Sequence, residues 1–175
     1  AGAPPPEPPA PGGAVAVSAD EEMRRLEPIL PTVLGAGIPV SIDTMKATVA
    51  AWALDAGAAI ANDVWGLQRD VDMARVVAEH RVPVIIMHNR LAADAGIDIV
   101  ADVISFFEHS LEIAGRAGIA RDMIVLDPGV GFGKSLANNL ALINALPLFH
   151  ALGQPLLVGS SRKRMIGALS NEAPA

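Results

Sequence analysis

Five short runs of almost unbroken apolar character, each ending in a polar cluster, recur along this chain. IPVSID closes at Asp43, AAIAND at Asn62-Asp63, VPVIIMH at His88, MIVLD at Asp127 and PLLVGSS at Ser160-Ser161. A segment apolar on both faces is what a parallel sheet buried under helices requires, because neither face meets water. Between the runs lie helical segments, placed by their patterning at about 45–56, 70–80, 98–116 and 135–150, with Pro147 weakening the last. Strand–helix alternation predicts successive right-handed βαβ units. An open doubly wound sheet and a (β/α)8 barrel both satisfy it, and in both the chemistry gathers at the carboxyl ends of the strands. Pattern alone therefore gives α/β and no more.

Composition narrows the function classes. With 175 residues, 51% of them hydrophobic, there is material for one core and one domain. A formal net charge of −6 argues against a nucleic-acid or acidic-membrane partner, although a local basic cluster can still hold a phosphate. The chain has no cysteine, which excludes disulfides, thiolate zinc sites and thiol nucleophiles and fits a reducing cytoplasm. VPVIIM stops at His88 and the Ala-rich stretch near Trp52 is broken by Asp55, whereas a membrane span needs about 20 apolar residues in a row. No charged segment leading into an apolar one opens the chain, so a signal peptide is not expected.

The first thirteen residues, AGAPPPEPPAPGG, bury too little apolar surface to offset their ordering entropy. Residues 1–17 are therefore expected to form a Pro/Gly-rich flexible loop, either a plain linker or part of an active site, with the domain in 18–175. The lack of an initiator Met suggests that residues upstream are missing. Ser18-Ala-Asp-Glu21 matches a capping box, in which the hydroxyl accepts an amide N–H and Glu21 reaches back. The helix it opens would place Met23, Leu26, Ile29, Leu30 and Val33 on one face and stop near Gly35 or Gly37. Pro28 should kink or split it.

The most distinctive stretch is Asp127-Pro-Gly-Val-Gly-Phe-Gly-Lys134-Ser135. It is not a Walker A loop, since position 128 is Pro, nor a dinucleotide fingerprint, since its glycines fall at 129, 131 and 133. What remains is a strand-end carboxylate followed by backbone bare enough to touch a flat ligand. The plainer alternative is a tight turn capped by Asp127. Ser160-Ser161-Arg162-Lys163-Arg164 sets three cations ahead of a helix over MIGALS, which makes either an anion site or a solvated basic turn. Asp43-Thr44, Asn62-Asp63 and His88 also close strands, where capping and packing are the ordinary roles. Trp65 covers the sheet edge on this reading, and Trp52, Phe106 and Phe107 belong to the core. Taken together, one rim gathers Asp43, Asp127, Asn62, Met87, Phe132 and the cations. Such a rim suits a flat heterocycle with a guanidine-like edge, because a carboxylate accepts two parallel N–H bonds from that edge.

These blocks, in this order, resemble dihydropteroate synthase. The matching segments are Ser41-Ile-Asp43-Thr44, Ala61-Asn62-Asp63-Val64, Met87-His88, Leu126-Asp127-Pro128-Gly129-Val-Gly-Phe132-Gly-Lys134 and Gly159-Ser-Ser-Arg162-Lys163, over about residues 20–168. The resemblance implies a (β/α)8 TIM barrel, here incomplete, comprising about strands three to seven with their helices. It implies that Asp127, Asn62 and Asp43 take the pterin's amino-pyrimidine edge and that Val64, Met87 and Gly159 line the ring. Lys163 would contact the pterin, Phe132 would pack near the arriving p-aminobenzoate, and Arg162 would assist. Asp127 and Lys163 carry the catalytic roles on this reading. The implied reaction displaces pyrophosphate from 6-hydroxymethyl-7,8-dihydropterin diphosphate by the amine of p-aminobenzoate, with Mg²⁺ on the pyrophosphate, in a cytoplasmic homodimer that is a sulfonamide target. The p-aminobenzoate carboxylate would sit near the helix start around Arg164.

The sequence departs from the family in three respects. The family's metal-binding Asn on the first strand, the Ser-Thr-Arg-Pro loop after the second, and the Arg and His of the final strand are all absent. Truncation at both ends is the expectation, with no metal ligand in this piece and no turnover by it alone. The rivals are a pterin-binding methyltransferase domain, which shares the barrel, and a fragment that binds or assembles without catalysis.

Overall fold

The computed structural model describes residues 17–161, 163 and 165–167. The expected loop at 1–17 therefore lies outside the described residues except for Val17, as do Arg162 and Arg164. Four strands form one parallel sheet in chain order: β1 (Ser41–Asp43), β2 (Ile60–Asp63), β3 (Val84–Met87) and β4 (Ile124–Asp127). The fifth apolar run does not form a full strand. It joins the sheet through a single bridge, Leu126 to Leu156, closed by hydrogen bonds from Leu126 N–H to Pro155 O and from Leu157 N–H to Leu126 O, each 2.9 Å.

Register decides between the two architectures left open by the pattern. Ile42, Ala61, Val84 and Ile124 form one cross-strand row, and Ile86 with Leu126 continues that face; all are buried in the core. The alternate positions Ile60, Ile85 and Val125 stay half-exposed and outside that core. One face is thus packed by helices while the other carries a separate row. Strand order follows chain order with no reversal, whereas a doubly wound sheet reverses at a switch point. Sequential parallel strands with helices on one side are the wall of a (β/α) barrel, present here in part.

The helices follow from local chemistry. α1 (Ala19–Leu26) starts at Ser18, whose hydroxyl accepts the Glu21 N–H at 3.3 Å. The reciprocal half of the box is missing, because Glu21 turns outward to Arg24 and Arg25. Pro28 splits the segment, and α2 (Leu30–Leu34) follows. Of its expected apolar face only Leu30 is buried, while Ile29 and Val33 are exposed. α3 (Ala47–Asp55) and α4 (Met73–His80) cover the sheet next. α5 (Ile99–Ala117) is capped by Asp98, which accepts the Val100 and Ala101 N–H groups at 3.1 Å, and it ends at Gly118 in the left-handed region. Its buried stripe of Ile99, Val103, Phe107, Ser110 and Ala114 recurs every three to four residues. Pro147 divides the last helical segment into α6 (Leu136–Asn144) and α7 (Leu146–His150), standing in the first turn of α7 where its missing N–H does no harm. Beyond the basic turn, Met165, Ile166 and Gly167 are helical, as the MIGALS reading expected.

One tie between helices carries a pH signature. The His80 ring at the end of α4 faces Val76 O with Nδ1 at 2.8 Å and Asp55 of α3 with Nε2 at 3.0 Å. Both partners are acceptors, so both bonds form only with the imidazolium, and the carbonyl and then the carboxylate raise the pKa above 6.5. The folded protein then binds the proton more tightly than the unfolded chain, so this stability is present below the unfolded pKa and fades as pH rises through the raised value. His80→Ala should accordingly lower the urea midpoint more at pH 5.5 than at pH 8.5, and an equal loss at both would refute the assignment.

Candidate active site

The carboxyl ends of β1 to β4 meet at one edge, and the turn after β4 organises it. Asp127 is 8% exposed, and its Oδ1 accepts the Gly129 N–H at 2.7 Å. A carboxylate offers about four lone-pair sites, so this turn bond leaves acceptor capacity for a ligand. The capping role and the binding role are compatible. Burial pushes the Asp127 carboxyl above its usual range, opposed by the Gly129 amide and by the Lys134 and Lys163 ammoniums. Lys163 reaches back from the basic turn and lays Nζ 3.8 Å over the Phe132 ring, a cation–π contact. Burial lowers its pKa and Asp127 opposes that shift.

The alternating glycines make this gathering possible. A Cβ on Gly129 would stand 1.9 Å from His88 O, and one on Gly133 2.1 Å from Arg90 O, so the turn lies directly against the backbone that follows β3. Gly131 leaves room for the Lys163 chain, which would stand 2.7 Å from a Cβ there. All three adopt positive φ.

Asp43 and Asn62 form the neighbouring part of the rim. They are partners in register across β1 and β2. Asp43 is accessible at its strand end, yet protein crowding raises its pKa, with the Glu22 charge adding and the neighbouring Asn62 amide opposing. Met87 pairs in register with Asp127 and is buried. A cleft of about 310 Å³ is lined by Asp43, Val64 and Phe132 together with Glu22, Trp65 and Asn89, whereas Asn62, Met87, Asp127 and Lys163 do not line it. Gly159 is exposed with open space around it and is not drawn into this cluster. A second cleft, about 320 Å³ and lined by Val77, Arg81, Ile119 and Met123, lies at the opposite ends of the strands. Strand polarity favours the first for chemistry, since barrel sites form at carboxyl ends.

Two strand-end groups serve the structure. Asp63 is 1% exposed and accepts the Trp65 and Leu67 N–H groups at 2.9 and 2.7 Å. His88 is buried edge-on to Phe106, its Nε2 3.1 Å from Asp102, and burial drives its pKa down to about 4. Helix α3 is capped not by Asp43 but by Asp70, which accepts the Ala47 N–H at 2.8 Å.

Among known families, that described as "Pterin binding enzyme" matches residues 10–175. The chain belongs to this family. It is 45% identical to the dihydropteroate synthase of Bacillus subtilis (strain 168), over 93% of this chain and 57% of that protein. Among solved structures, a Xanthomonas albilineans dihydropteroate synthase with 4-aminobenzoic acid superposes with a TM-score of 0.88 at 41% identity, covering 94% of this chain and 60% of that one. The Thermus thermophilus dihydropteroate synthase in complex with 6HMPPP gives 0.80 at 50% identity, covering 86% and 60%. The chain thus spans less than two thirds of the length of these relatives.

For this pterin-binding family member, sequence reasoning missed Glu22, Lys46 and Asn89 around the cleft, and gave Thr44 and Trp65 only strand-end and covering roles. Glu22 of α1 accepts Thr44 Oγ1–H at 2.6 Å and the Lys46 ammonium at 2.7 Å, fastening α1 to the loop after β1. Nothing local to Glu22 announces a partner 22 residues away. Among the described residues, no group of three or more His, Asp or Glu side chains is gathered to hold a metal. No described helix is long and apolar enough to cross a membrane.

Gly129→Ala and Gly118→Ala separate backbone conformation from close approach. Both positions have positive φ, at 66° and 84°, but only Gly129 has backbone in the way. Gly118→Ala should lose about 1–2 kcal/mol for its left-handed conformation, and Gly129→Ala roughly 1–3 kcal/mol more for the overlap. Equal losses in urea titrations would contradict the contact between the two loops.

Proposed function

We propose that this chain supplies the ring-binding wall of a dihydropteroate synthase. That enzyme condenses 6-hydroxymethyl-7,8-dihydropterin diphosphate with p-aminobenzoate, giving 7,8-dihydropteroate and pyrophosphate in folate biosynthesis. One observation carries the reading: Asp127, Phe132 and Lys163, from two separate segments, meet at the strand edge that also bears the Asp43–Asn62 pair. A planar ring with adjacent N–H groups finds acceptors in Asp127 and Asp43 and a mixed donor–acceptor in Asn62. Val64, Met87 and Phe132 supply apolar surface, and Lys163 supplies positive charge. Gly159 and Arg162 remain in the proposal as family carry-overs. The names of the relatives support the choice of synthase over methyltransferase.

In this proposal the amine nitrogen of p-aminobenzoate attacks the exocyclic methylene carbon while the bond from that carbon to the diphosphate oxygen breaks. The electron pair leaves with pyrophosphate, and the ammonium formed on the new C–N bond gives its proton to solvent. Ring electrons stabilise the cationic methylene, and Lys163 favours the developing anion electrostatically. Asp127 holds the ring edge throughout and takes no proton. A cytoplasmic homodimer open to sulfonamides completes the proposal.

Two measurements test it on the native polypeptide that carries this chain. Pyrophosphate should appear only when both substrates are present; its absence would overturn the reading. Asp127→Asn offers one acceptor where the ring edge needs two. Losing a charged hydrogen bond worth about 1.5–3 kcal/mol should weaken binding of 6-hydroxymethylpterin by roughly 10–100-fold in calorimetry. Undiminished affinity would remove Asp127 from the site.

A further inference from the structure

Lys134 is a buried cation for which the pterin reading has no use. It is 9% exposed, and its ammonium donates to Gly129 O at 2.8 Å, Phe132 O at 2.9 Å and His88 O at 3.2 Å. The three N–H donors are all engaged, two by its own turn and one by the loop after β3. Among the described residues, no carboxylate lies within ion-pair distance of it.

Carbonyl bonds alone do not call for a charge at this spot. A neutral amide could donate to two of the three carbonyls without the desolvation that a buried ammonium suffers. The neighbours supply the missing reason. Asp127 and Asp102 attract Lys134, while Arg90 and Lys163 oppose it. His88, the next titratable group, is neutral near pH 7, because burial holds its pKa near 4. Asp127 in turn lies in a site whose burial favours the uncharged acid, and Lys134 is one of the two cations opposing that.

We propose that Lys134 is a positioning residue for the pterin site: it clasps the turn after β4 to the loop after β3 and keeps Asp127 ionised and aimed as a ring acceptor. This rests on the reading that Asp127 binds the ring, and it adds a residue that touches no substrate. Burial lowers the Lys134 pKa only to about 7, so the cation is present in the acidic range where Asp127 needs it.

The test is the pH dependence of 6-hydroxymethylpterin affinity for the native polypeptide and for Lys134→Gln, with Asp127→Asn as the reference. In Lys134→Gln the acid limb of binding should move up by about one pH unit or more, as expected when a carboxylate loses a nearby cation. Affinity near pH 8 should fall much less than affinity near pH 5.5. A loss of the same factor at every pH would make Lys134 structural only and overturn the proposal. If Asp127→Asn binds as well as the native protein, the ring-binding reading fails instead. Should Lys134→Gln not fold, the Asp127 carboxyl ¹³C resonance of the native protein, assigned by its loss in Asp127→Asn, replaces it. That resonance should show a second inflection near pH 7 as Lys134 loses its proton, and a flat response there would sink the proposal.

Discussion

The contact between the turn after β4 and the loop after β3 governs the rest of the site. Two backbone segments approach so closely that a methyl group on Gly129 or Gly133 would overlap a carbonyl of the facing loop. Backbone brought this near presents carbonyls that neither chain can satisfy by regular pairing, and unpaired buried carbonyls are costly. The Lys134 ammonium accepts that task for three of them at once. Asp127 takes up the Gly129 N–H, so the turn is satisfied from both sides by its own motif. The spacing of Asp127, Gly129, Gly133 and Lys134 is thus a packing requirement before it is a chemical signature.

From that contact the geometry of the edge follows. Met87 and Asp127 are partners in register at the ends of β3 and β4, and Asp43 and Asn62 are partners at the ends of β1 and β2. Parallel pairing in chain order puts both pairs on one rim. The helices bury one face of each strand, and Asp43, Asn62 and Asp127 at the tips belong to the alternate row, facing away from the main core. Site and core are separated by the two-residue period of the strands.

The sheet was legible because its strands are continuous apolar runs, and the first four end where the polar clusters predicted. The fifth run, which opens on Pro155 and carries Gly159, reads as strongly as the others yet makes only one bridge among the described residues. Periodicity reports burial, and pairing needs a neighbour's backbone as well. The same limit explains Ile29 and Val33, which fit a helical stripe but are exposed once Pro28 breaks the helix. At the rim, Asp127, Phe132 and Lys163 were readable as motif residues. Glu22 and Asp70 were not, because each acts on a partner more than twenty residues away and no local spacing encodes that.

The electrostatics of this edge run against the protein as a whole. A chain with a formal charge of −6 places two lysines, rather than solvent, around one buried carboxylate. Each lysine is itself partly desolvated and shifted toward neutrality, and each is pulled back by Asp127. A single buried cation beside a single buried anion would tend to close into an ion pair and fill both partners' hydrogen-bonding capacity. Here Lys134 is occupied by carbonyls and Lys163 lies over the Phe132 ring, so neither spends its donors on Asp127. The carboxylate therefore feels two positive charges while retaining acceptor sites, which is the condition for gripping a neutral ring edge in competition with water.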